Sequence, residues 1–304
     1  MKMRWSSALW SVLALLLILS LFTPFQIVTI SFIAIPIVVL YATTSVRAFI
    51  LHMLCVYLVA FLAMGTFGSA AILFAIYFTI PAVVMGRLYR RKASAMAVFI
   101  GGTITVLAES IIMLFVMNTI LGFDFNLYLG ETVRASLEPL QTANLMPVGW
   151  TPKMTDDLVA MMTQMVPFAL IFSSLLIAAV THTISQRILN RQGVEASKFK
   201  PLHEWMLPRS LIWYYFIAVL ADMFIADTDT SFVTVVLVNL LPLLKIAFMV
   251  QTVCFFFFVA HIKKWNRILP ILFVIPLFIF PPLRIIGLLD IAFPIRQSLV
   301  KPKM

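Results

Sequence analysis

Long apolar runs, separated by short polar or proline-containing stretches, make up most of the chain. A helix needs roughly 20 apolar residues to cross a hydrocarbon core of about 30 Å, so runs of this length predict membrane-spanning helices. The pattern predicts an all-α membrane protein, a polytopic helical bundle of about eight transmembrane helices plus a proline-broken C-terminal segment, in a single domain over residues 1–304. The predicted helices cover 6–22, 25–42, 47–64, 68–86, 95–121, 158–185, 210–226 and 231–262, and the proline-broken segment covers about 268–290.

Composition makes the lipid bilayer the predicted solvent of this bundle. Of the 304 residues, 62% are hydrophobic and 11% are charged, and the mean hydropathy is +1.06. A soluble domain is normally only about half apolar, so this chain lacks the polar surface that a globule needs. No small-residue cleavage site follows the basic start before Thr23-Pro24, and we therefore expect the first run to be a retained helix.

The basic residues predict the orientation of the bundle. The formal net charge is +10, but the positive residues fall in short clusters rather than one patch, which argues against a nucleic-acid partner. Loops rich in Lys and Arg stay cytoplasmic, so we expect a multi-pass protein of the cell (plasma) membrane with a cytoplasmic N-terminus. The predicted outer loops hold only Arg134 and Lys153. The predicted inner side holds Lys2, Arg4, Arg47, Arg87, Arg90, Arg91, Lys92, Arg187, Arg191, Lys198, Lys200, Arg209, Lys263, Lys264 and Arg267.

The side of the C-terminal tail depends on the proline-broken segment. A full span at 268–290 would place Arg296, Lys301 and Lys303 outside. A turn at Pro281-Pro282 would instead return them to the inner side, provided that protein shields the turning segment from lipid. We favour the second arrangement.

Two polar segments are long enough to have structure of their own. In the outer segment, about 122–157, Leu129, Val133, Leu137 and Leu140 recur at helical spacing, which indicates an amphipathic helix; a solvated loop is the alternative. The inner segment, a cytoplasmic basic loop at about 186–209, leads into an aromatic group of the kind that anchors helices at the membrane surface. That group consists of Trp205, Trp213, Tyr214 and Tyr215.

Ionisable residues inside the apolar runs are the candidate functional groups, because a charge at mid-bilayer costs at least about 2.5–3.5 kcal/mol. Such residues are Glu109, Lys245, Asp222 and Arg284. Gly102 and Thr105 share the helix face of Glu109, so the predicted ligand-binding residues are Gly102, Thr105, Glu109 and Lys245. We expect Glu109 and Lys245 to form a buried ion pair or to share one polar cavity; the alternative is that Glu109 only locks helices together.

The sequence lacks the common catalytic signatures, and we expect no catalytic residue, no metal site and no cofactor. His203-Glu204 lacks a second His, and Asp227-Thr-Asp229 is interpreted as a polar turn rather than a cation site. His52 and His182 lie near inner helix ends, where packing explains them. Cys55 and Cys254 both lie inside apolar runs, so a disulfide is not expected.

Several stretches together resemble the YybS-type family of uncharacterised bacterial membrane proteins. They are Arg87-Leu-Tyr-Arg-Arg-Lys92, Pro167 at the start of a helix that ends in Gln186-Arg-Ile-Leu-Asn-Arg-Gln-Gly193, Phe199 to Pro208, and Gly287-Leu-Leu-Asp290 followed by Phe293 and Arg296. This family is distantly similar to the S components of energy-coupling-factor transporters, which capture vitamins or metal ions. The resemblance therefore implies small-molecule binding.

One feature departs from S components that dock on a shared transport module. Such proteins tend to carry small residues, typically Ala, four apart on the first helix, whereas that helix here has only Ser7 and Ser11 at this spacing. Ala93 and Ala97 have the spacing, but they belong to the fifth predicted helix, where close helix packing explains them.

Three function classes follow from these observations. The first is small-molecule binding or transport, with a cavity in the outer half of the bundle that Gly102, Thr105 and Glu109 line and the 122–157 segment covers. The second is a non-catalytic membrane scaffold that assembles with a membrane protein partner. A membrane enzyme is the third class and the least favoured.

Overall fold

The computed structural model describes residues 2–120, 122–225, 231–266 and 268–300, and all secondary structure in these residues is helical. Short 3-10 turns lie at Gly65–Phe67, Leu202–Glu204 and Pro281–Arg284. The helices are α1 (Lys2–Ser20), α2 (Gln26–Thr29), α3 (Ala34–Thr43), α4 (Val46–Met64), α5 (Gly68–Arg90), α6 (Ala95–Thr119), α7 (Phe125–Thr142), α8 (Pro152–Gln164), α9 (Val166–Arg191), α10 (Ser210–Phe224), α11 (Phe232–Ile262), α12 (Ile268–Ile279), α13 (Ile285–Ala292) and α14 (Ile295–Val300). The predicted all-α class is confirmed.

Five helical stretches among the described residues are long and apolar enough to cross a membrane. They are Gln26–Thr43, Val46–Arg90, Ala95–Thr119, Val166–Arg191 and Phe232–Ile262; the shorter apolar helices are Ser6–Ser20, Ser210–Phe224 and Ile268–Ile279. The 45 residues of Val46–Arg90 hold two helices, because α4 and α5 pack on each other on either side of the Gly65–Phe67 turn. The protein is therefore a multi-pass membrane protein.

The outward face of α4 is typical of a helix in contact with lipid. Leu51, Leu54, Leu58 and Leu62 follow one another at steps of three and four, and each is between 57% and 68% exposed. A continuous stripe of exposed leucine side chains is energetically unfavourable in water but not in hydrocarbon.

Proline changes one predicted helix. The run at 158–185 was expected to be a single helix, but α8 ends at Gln164 and α9 begins at Val166. Pro167 explains the break, since proline has no N–H to donate and its ring clashes with the carbonyl four residues earlier. Pro167 therefore sits in the first turn of α9, where a proline is tolerated.

The described residues form two compact units, one within Met1–Asp124 and Leu170–Phe199 and the other within Phe125–Ala169 and Lys200–Met304. In the first unit α3 is the central helix, because every residue from Ala34 to Tyr41 is buried. Arg90 donates hydrogen bonds to the carbonyl oxygens of Tyr41 and Thr44, and its guanidinium group lies 4.3 Å from the centre of the Tyr41 ring. The C-terminal carbonyls of α3 are thus satisfied within the protein.

The basic segment that follows α9 is fixed to the first unit as far as residue 199. The Asn190 side chain donates a hydrogen bond to the Ala196 oxygen and accepts one from the Ala196 nitrogen. The Ser197 hydroxyl donates to the Ala93 oxygen at 3.0 Å, and Lys92 forms an ion pair with Glu195 at 2.6 Å. This part of the predicted cytoplasmic loop is therefore ordered against the end of α5.

In the second unit α11 is the central helix, and α10, α12, α13 and the Leu202–Glu204 turn all contact it. The segment at 122–157 contains α7 at the position of the predicted amphipathic helix; α7 packs on α8, and its buried residues are Gly130 and Val133. The residues of the predicted aromatic group have different environments. Trp213 and Tyr214 are exposed, whereas Tyr215 packs edge-on against Phe248.

The proline-broken segment forms a hairpin beside α11. Phe273 of α12 contacts Phe256, the Pro281–Arg284 turn lies beside Lys245 and Met249, and Arg296 after α13 lies over the Phe258 ring at 4.8 Å. With 12 residues, α12 is only about 18 Å long, less than a bilayer core. Residues up to 300 therefore return towards the end of α11 that carries Lys263.

Candidate functional site

Glu109 lies on α6 with both carboxyl oxygens buried, and neither oxygen has a hydrogen-bond partner among the described residues. Nearby hydroxyls are already engaged: Thr105 donates to the Gly101 oxygen at 2.7 Å, and Ser110 is hydrogen-bonded to Tyr77 at 2.7 Å. A buried carboxyl group without a partner is costly unless it is protonated or meets a ligand, water or a counter-charge.

Gly102, on the same face of α6, is a point of close helix packing. A Cβ atom added there would meet the Met85 sulfur at 2.7 Å and the Ala178 Cβ at 3.4 Å. In this contact α5 and α9 occupy the space that a side chain would need. Close packing therefore accounts for this glycine, as small residues commonly allow in membrane helices.

Lys245 lies on α11 and shares a cavity of about 140 Å³ with Arg284. Neither side chain forms an ion pair with any residue that the structure describes. A water molecule takes up about 30 Å³ in the liquid, so the cavity accommodates a group the size of a carboxylate or phosphate. Its lining consists of Lys245, Ile246, Met249, Leu277, Phe278, Pro281 and Arg284.

The predicted site residues fall in different units. Gly102, Thr105 and Glu109 belong to the first unit, and Lys245 belongs to the second. The Glu109–Lys245 ion pair, and a cavity that the 122–157 segment covers, both stay predictions.

A buried network around Asp290 is the best-connected polar group in the described part of the second unit. Asp290 is fully buried and accepts hydrogen bonds from Arg296 at 2.7–3.1 Å and from the Gln251 amide at 2.6 Å. The Gln251 oxygen accepts from the Leu207 nitrogen at 3.0 Å, and Arg296 donates to the His203 oxygen at 3.0 Å. The Asp290–Arg296 network therefore ties α13, α11 and the loop before α10 together.

Sequence reasoning did not select these residues as a site. In the sequence, Asp290, Arg296 and the Phe199–Pro208 stretch contribute only to the family resemblance. The available signal was an isolated Asp in the apolar run of α13, followed six residues later by an isolated Arg. Two opposite charges at such positions are costly apart and favourable together.

His182 on α9 is also fully buried, in the first unit. Its Nδ1 atom is 2.7 Å from the Tyr89 hydroxyl oxygen, and Phe199 packs edge-on against the imidazole ring. Its Nε2 atom and the hydroxyls of Thr181 and Ser185 have no hydrogen-bond partner among the described residues. Packing explains the position of His182, and the three unsatisfied atoms are suited to internal water.

Ser7 and Ser11 of α1 face the interior of the first unit. Ser7 is buried, and the Ser11 hydroxyl is 3.0 Å from Nδ1 of His52 on α4. Ser7 and His52 border a crevice of about 1000 Å³ that also involves the α3–α4 connection. The Ser7 and Ser11 pair therefore packs inside the unit rather than forming an exposed docking stripe.

No group of three or more His, Cys, Asp or Glu side chains close enough to hold a metal ion occurs in the described ranges. Asp227-Thr-Asp229, interpreted from the sequence as a polar turn, lies outside them.

Comparison with known proteins supports the family resemblance. The model of the family described as "Predicted membrane protein (DUF2232)" matches residues 10–291. The chain is 24% identical over 226 residues to the "Uncharacterized protein YybS" of Bacillus subtilis (strain 168), covering 71% of this chain and 72% of that protein. No solved structure matches the chain.

Proposed function

The chain belongs to the DUF2232 family of predicted membrane proteins, and on that premise we propose that it binds a small molecule within the bilayer and is not an enzyme. Lys245 and Arg284 receive an acidic group of the ligand in the cavity that they share. Glu109, in the other unit, is a separate candidate site for a hydrogen-bond donor or a positive group.

The observation that carries this proposal is the cavity of about 140 Å³ that Lys245 and Arg284 line. Two cations that face one apolar cavity repel each other and lose hydration, so an anion between them is strongly favoured. A carboxylate or phosphate would form charge-assisted hydrogen bonds with both side chains. The lining residues Leu277 and Phe278 would meet the apolar part of such a ligand.

The buried carboxyl group of Glu109 is a separate point at which the first unit could bind a small molecule. Because its oxygens lack a partner among the described residues, an amine, an amide or a hydroxyl of a ligand would satisfy them. Gly102 and Thr105 then have an indirect role: they allow close helix packing, and their small side chains leave that face of α6 without bulky groups.

We further propose that the protein is the substrate-binding part of a transport system in the plasma membrane, with its N-terminus in the cytoplasm. The distribution of Lys and Arg supports this orientation, since the predicted outer loops hold only Arg134 and Lys153. The resemblance to S components supports the transport role.

Native mass spectrometry of the gently solubilised protein tests the binding proposal. We expect a reproducible small-molecule adduct on the wild type that is lost in Lys245→Met. Lys153→Met, in the exposed outer segment, is the matched control and should keep the adduct. An adduct retained by Lys245→Met, or a wild type that is ligand-free in every preparation, would refute the proposal.

A membrane scaffold is the second candidate, and the filled space at Gly102 favours it. Where α5 and α9 already occupy the space next to α6, that face is a packing surface rather than a cavity wall. For a scaffold, co-purification of a membrane protein partner should be unaffected by Lys245→Met, and no adduct should appear.

A further inference from the structure

A cleft in the second unit, which also holds the cavity of Lys245 and Arg284, has the chemistry of a lipid headgroup site. Its volume is about 760 Å³, and its residues come from the end of α11, the start of α12 and the Leu202–Glu204 turn. His203, His261 and Lys264 supply its polar groups, whereas the rest of the lining is apolar or aromatic. That remaining lining consists of Pro201, Leu202, Phe257, Ala260, Trp265 and Pro270.

The cleft lies where a membrane surface is expected. At 31 residues, α11 is about 46 Å long and exceeds a hydrocarbon core of about 30 Å, so its polar end reaches the headgroup region. The helix ends next to Lys263, Lys264 and the exposed Trp265, a combination typical of the interface. An amphipathic ligand fits there, with its polar part on the basic residues and its apolar part on Phe257.

The Asp290–Arg296 network builds one wall of this cleft. Arg296 donates to the His203 oxygen and Gln251 accepts from the Leu207 nitrogen, so the turn that carries His203 is held against α11. The rings of His203 and His261 consequently stack in parallel, with centroids 4.0 Å apart and planes 6° apart. The two imidazole rings thus form a preorganised edge of the cleft, so little order has to be created when a ligand binds.

Lys264 is the cationic side chain in the lining of the cleft. Lys264 forms no ion pair with any residue in the described ranges. Among the described acidic groups, Glu204 is close, with its carboxylate 3.9 Å from Nε2 of His203, whereas Asp290 is already bound by Arg296. A phosphate at Lys264 therefore meets a cation without a competing internal partner.

The backbone at Lys264 is unusual for a lysine. Its φ is +53°, and the Trp265 nitrogen donates to the Ala260 oxygen at 2.8 Å, which is the helix ending in which glycine normally takes this position. Lys92 occupies the same position at the end of α5, with φ +53° and the Ala93 nitrogen bonded to the Leu88 oxygen. Glycine can therefore replace either lysine without backbone strain.

We propose that the cleft formed by His203, His261, Lys264 and Phe257 binds the phosphate headgroup of an anionic phospholipid at the membrane surface. The phosphate oxygens accept hydrogen bonds from Lys264 and from the histidine edge. The first part of an acyl chain lies along Phe257 and Pro270. This site is separate from the cavity of Lys245 and Arg284 and does not depend on it.

Lipid titration of the detergent-solubilised full chain tests this site, with bound lipid counted by native mass spectrometry. Phosphatidylglycerol should bind in preference to phosphatidylcholine. Lys264→Gly should weaken phosphatidylglycerol binding at least about fivefold, as expected for loss of one charge-assisted contact. His261→Gln should weaken it as well.

Lys92→Gly is the matched control, because it removes the same charge from the same backbone conformation at another helix end. It should change binding less than twofold, and neither glycine variant should lower the melting temperature through backbone strain. Equal binding of phosphatidylglycerol and phosphatidylcholine, or equal losses in Lys264→Gly and Lys92→Gly, would overturn the proposal. Displacement of the lipid by millimolar inorganic phosphate would overturn the lipid as ligand and assign the site to free phosphate.

Discussion

Ionisable residues in the apolar helices fall into two groups according to their partners. Asp290 and Arg296 have nearly every hydrogen-bonding atom engaged, whereas Glu109, Lys245 and Arg284 have no charged partner among the described residues. Buried charges that are fully paired have a structural role, because removing one partner leaves the other charge buried and unpaired. Unpaired ionisable residues inside apolar helices are candidates for function.

The Asp290–Arg296 pair is expected to behave as a buried ion pair. Asp290→Asn or Arg296→Met alone should lower the free energy of unfolding by about 3–5 kcal/mol, because each leaves the other group unpaired in an apolar environment. The double variant should lose less than the sum of the two single losses. Melting temperatures in detergent measure these differences.

The exposed pair of Arg134 and Asp156 is the control for that experiment. Its side chains are 58% and 63% exposed, so Arg134→Met should cost at most about 1 kcal/mol. Equal losses for Arg134→Met and Arg296→Met would mean that the Asp290 network is not buried in the folded protein.

The predicted pairing of Glu109 with Lys245 can be tested in the same way. If the two side chains meet, Glu109→Gln and Lys245→Met should each destabilise the protein more than the double variant does. Additive losses in melting temperature would show that they never meet. That result would leave Lys245 to the ligand, as the proposed function requires.

The exposed ion pair of Lys92 and Glu195 gives a prediction for pH. The hydrogen bond from Lys92 lowers the pKa of Glu195, and the same bond raises the pKa of Lys92. The contribution of Glu195 to the stability of the folded protein is therefore complete above its unfolded pKa of about 4.3. This contribution is lost as the pH falls through the lower folded pKa. The contribution of Lys92 to the stability of the folded protein is complete below its unfolded pKa of about 10.4. This contribution is lost as the pH rises through the higher folded pKa.

The melting temperature of Glu195→Gln should accordingly be slightly below that of the wild type at pH 7, and the difference should shrink as the pH falls below about 4.3. Added salt should reduce the difference at pH 7. A difference that grows as the solution is acidified would contradict this assignment.

At the scale of helices, one glycine determines how closely α13 approaches α11. A Cβ atom on Gly287 would collide with the Phe248 oxygen and lie 2.6 Å from the Thr252 hydroxyl. Since backbone cannot move aside as a side chain can, Gly287→Ala should destabilise the protein by about 1–3 kcal/mol or more. The melting temperature in detergent is the measurement.

Gly130→Ala in α7 provides the comparison. An added Cβ there would have its nearest contact with Val159 at 3.7 Å, an ordinary packing distance. Alanine should therefore stabilise α7, by up to about 1 kcal/mol from helix propensity. A loss for Gly130→Ala as large as that for Gly287→Ala would show that the close contact is not the cause.

At the scale of the whole molecule, the hairpin of α12 and α13 gives a prediction about sidedness. In a background of Cys55→Ser and Cys254→Ala, single cysteines at Arg91 and Gln297 should be protected from an impermeant reagent added to intact cells. A cysteine at Lys153 should react. All three positions are exposed, and Arg91 is preferred to Arg90 because Arg90 binds the carbonyl oxygens at the end of α3.

Reaction at Arg91 from outside would reverse the proposed orientation. Reaction at Gln297 alone would contradict the hairpin and mean that residues 268–290 cross the membrane. The expected protection follows from the position of Arg296, which lies beside Phe258 and His203 near the basic end of α11.

The sequence alone determined the solvent of this protein, its helical class and the approximate position of each apolar helix. These properties depend on composition and on residues that are near each other in the chain, such as the stripe from Leu51 to Leu62 or the helix spacing in α7. The resemblance to the YybS-type family also came from short stretches read in order, and the family match bears it out.

The tertiary structure decided which of the buried polar groups have partners. Asp290 meets Gln251, which is 39 residues earlier, and Gly287 meets the backbone of α11. Pro281-Pro282 signalled an interruption in the sequence, but only packing against α11 turns that interruption into a hairpin. Contacts of this kind depend on distances between residues remote in the chain, which no local pattern encodes, and so the Asp290–Arg296 network emerged from the fold rather than from the sequence.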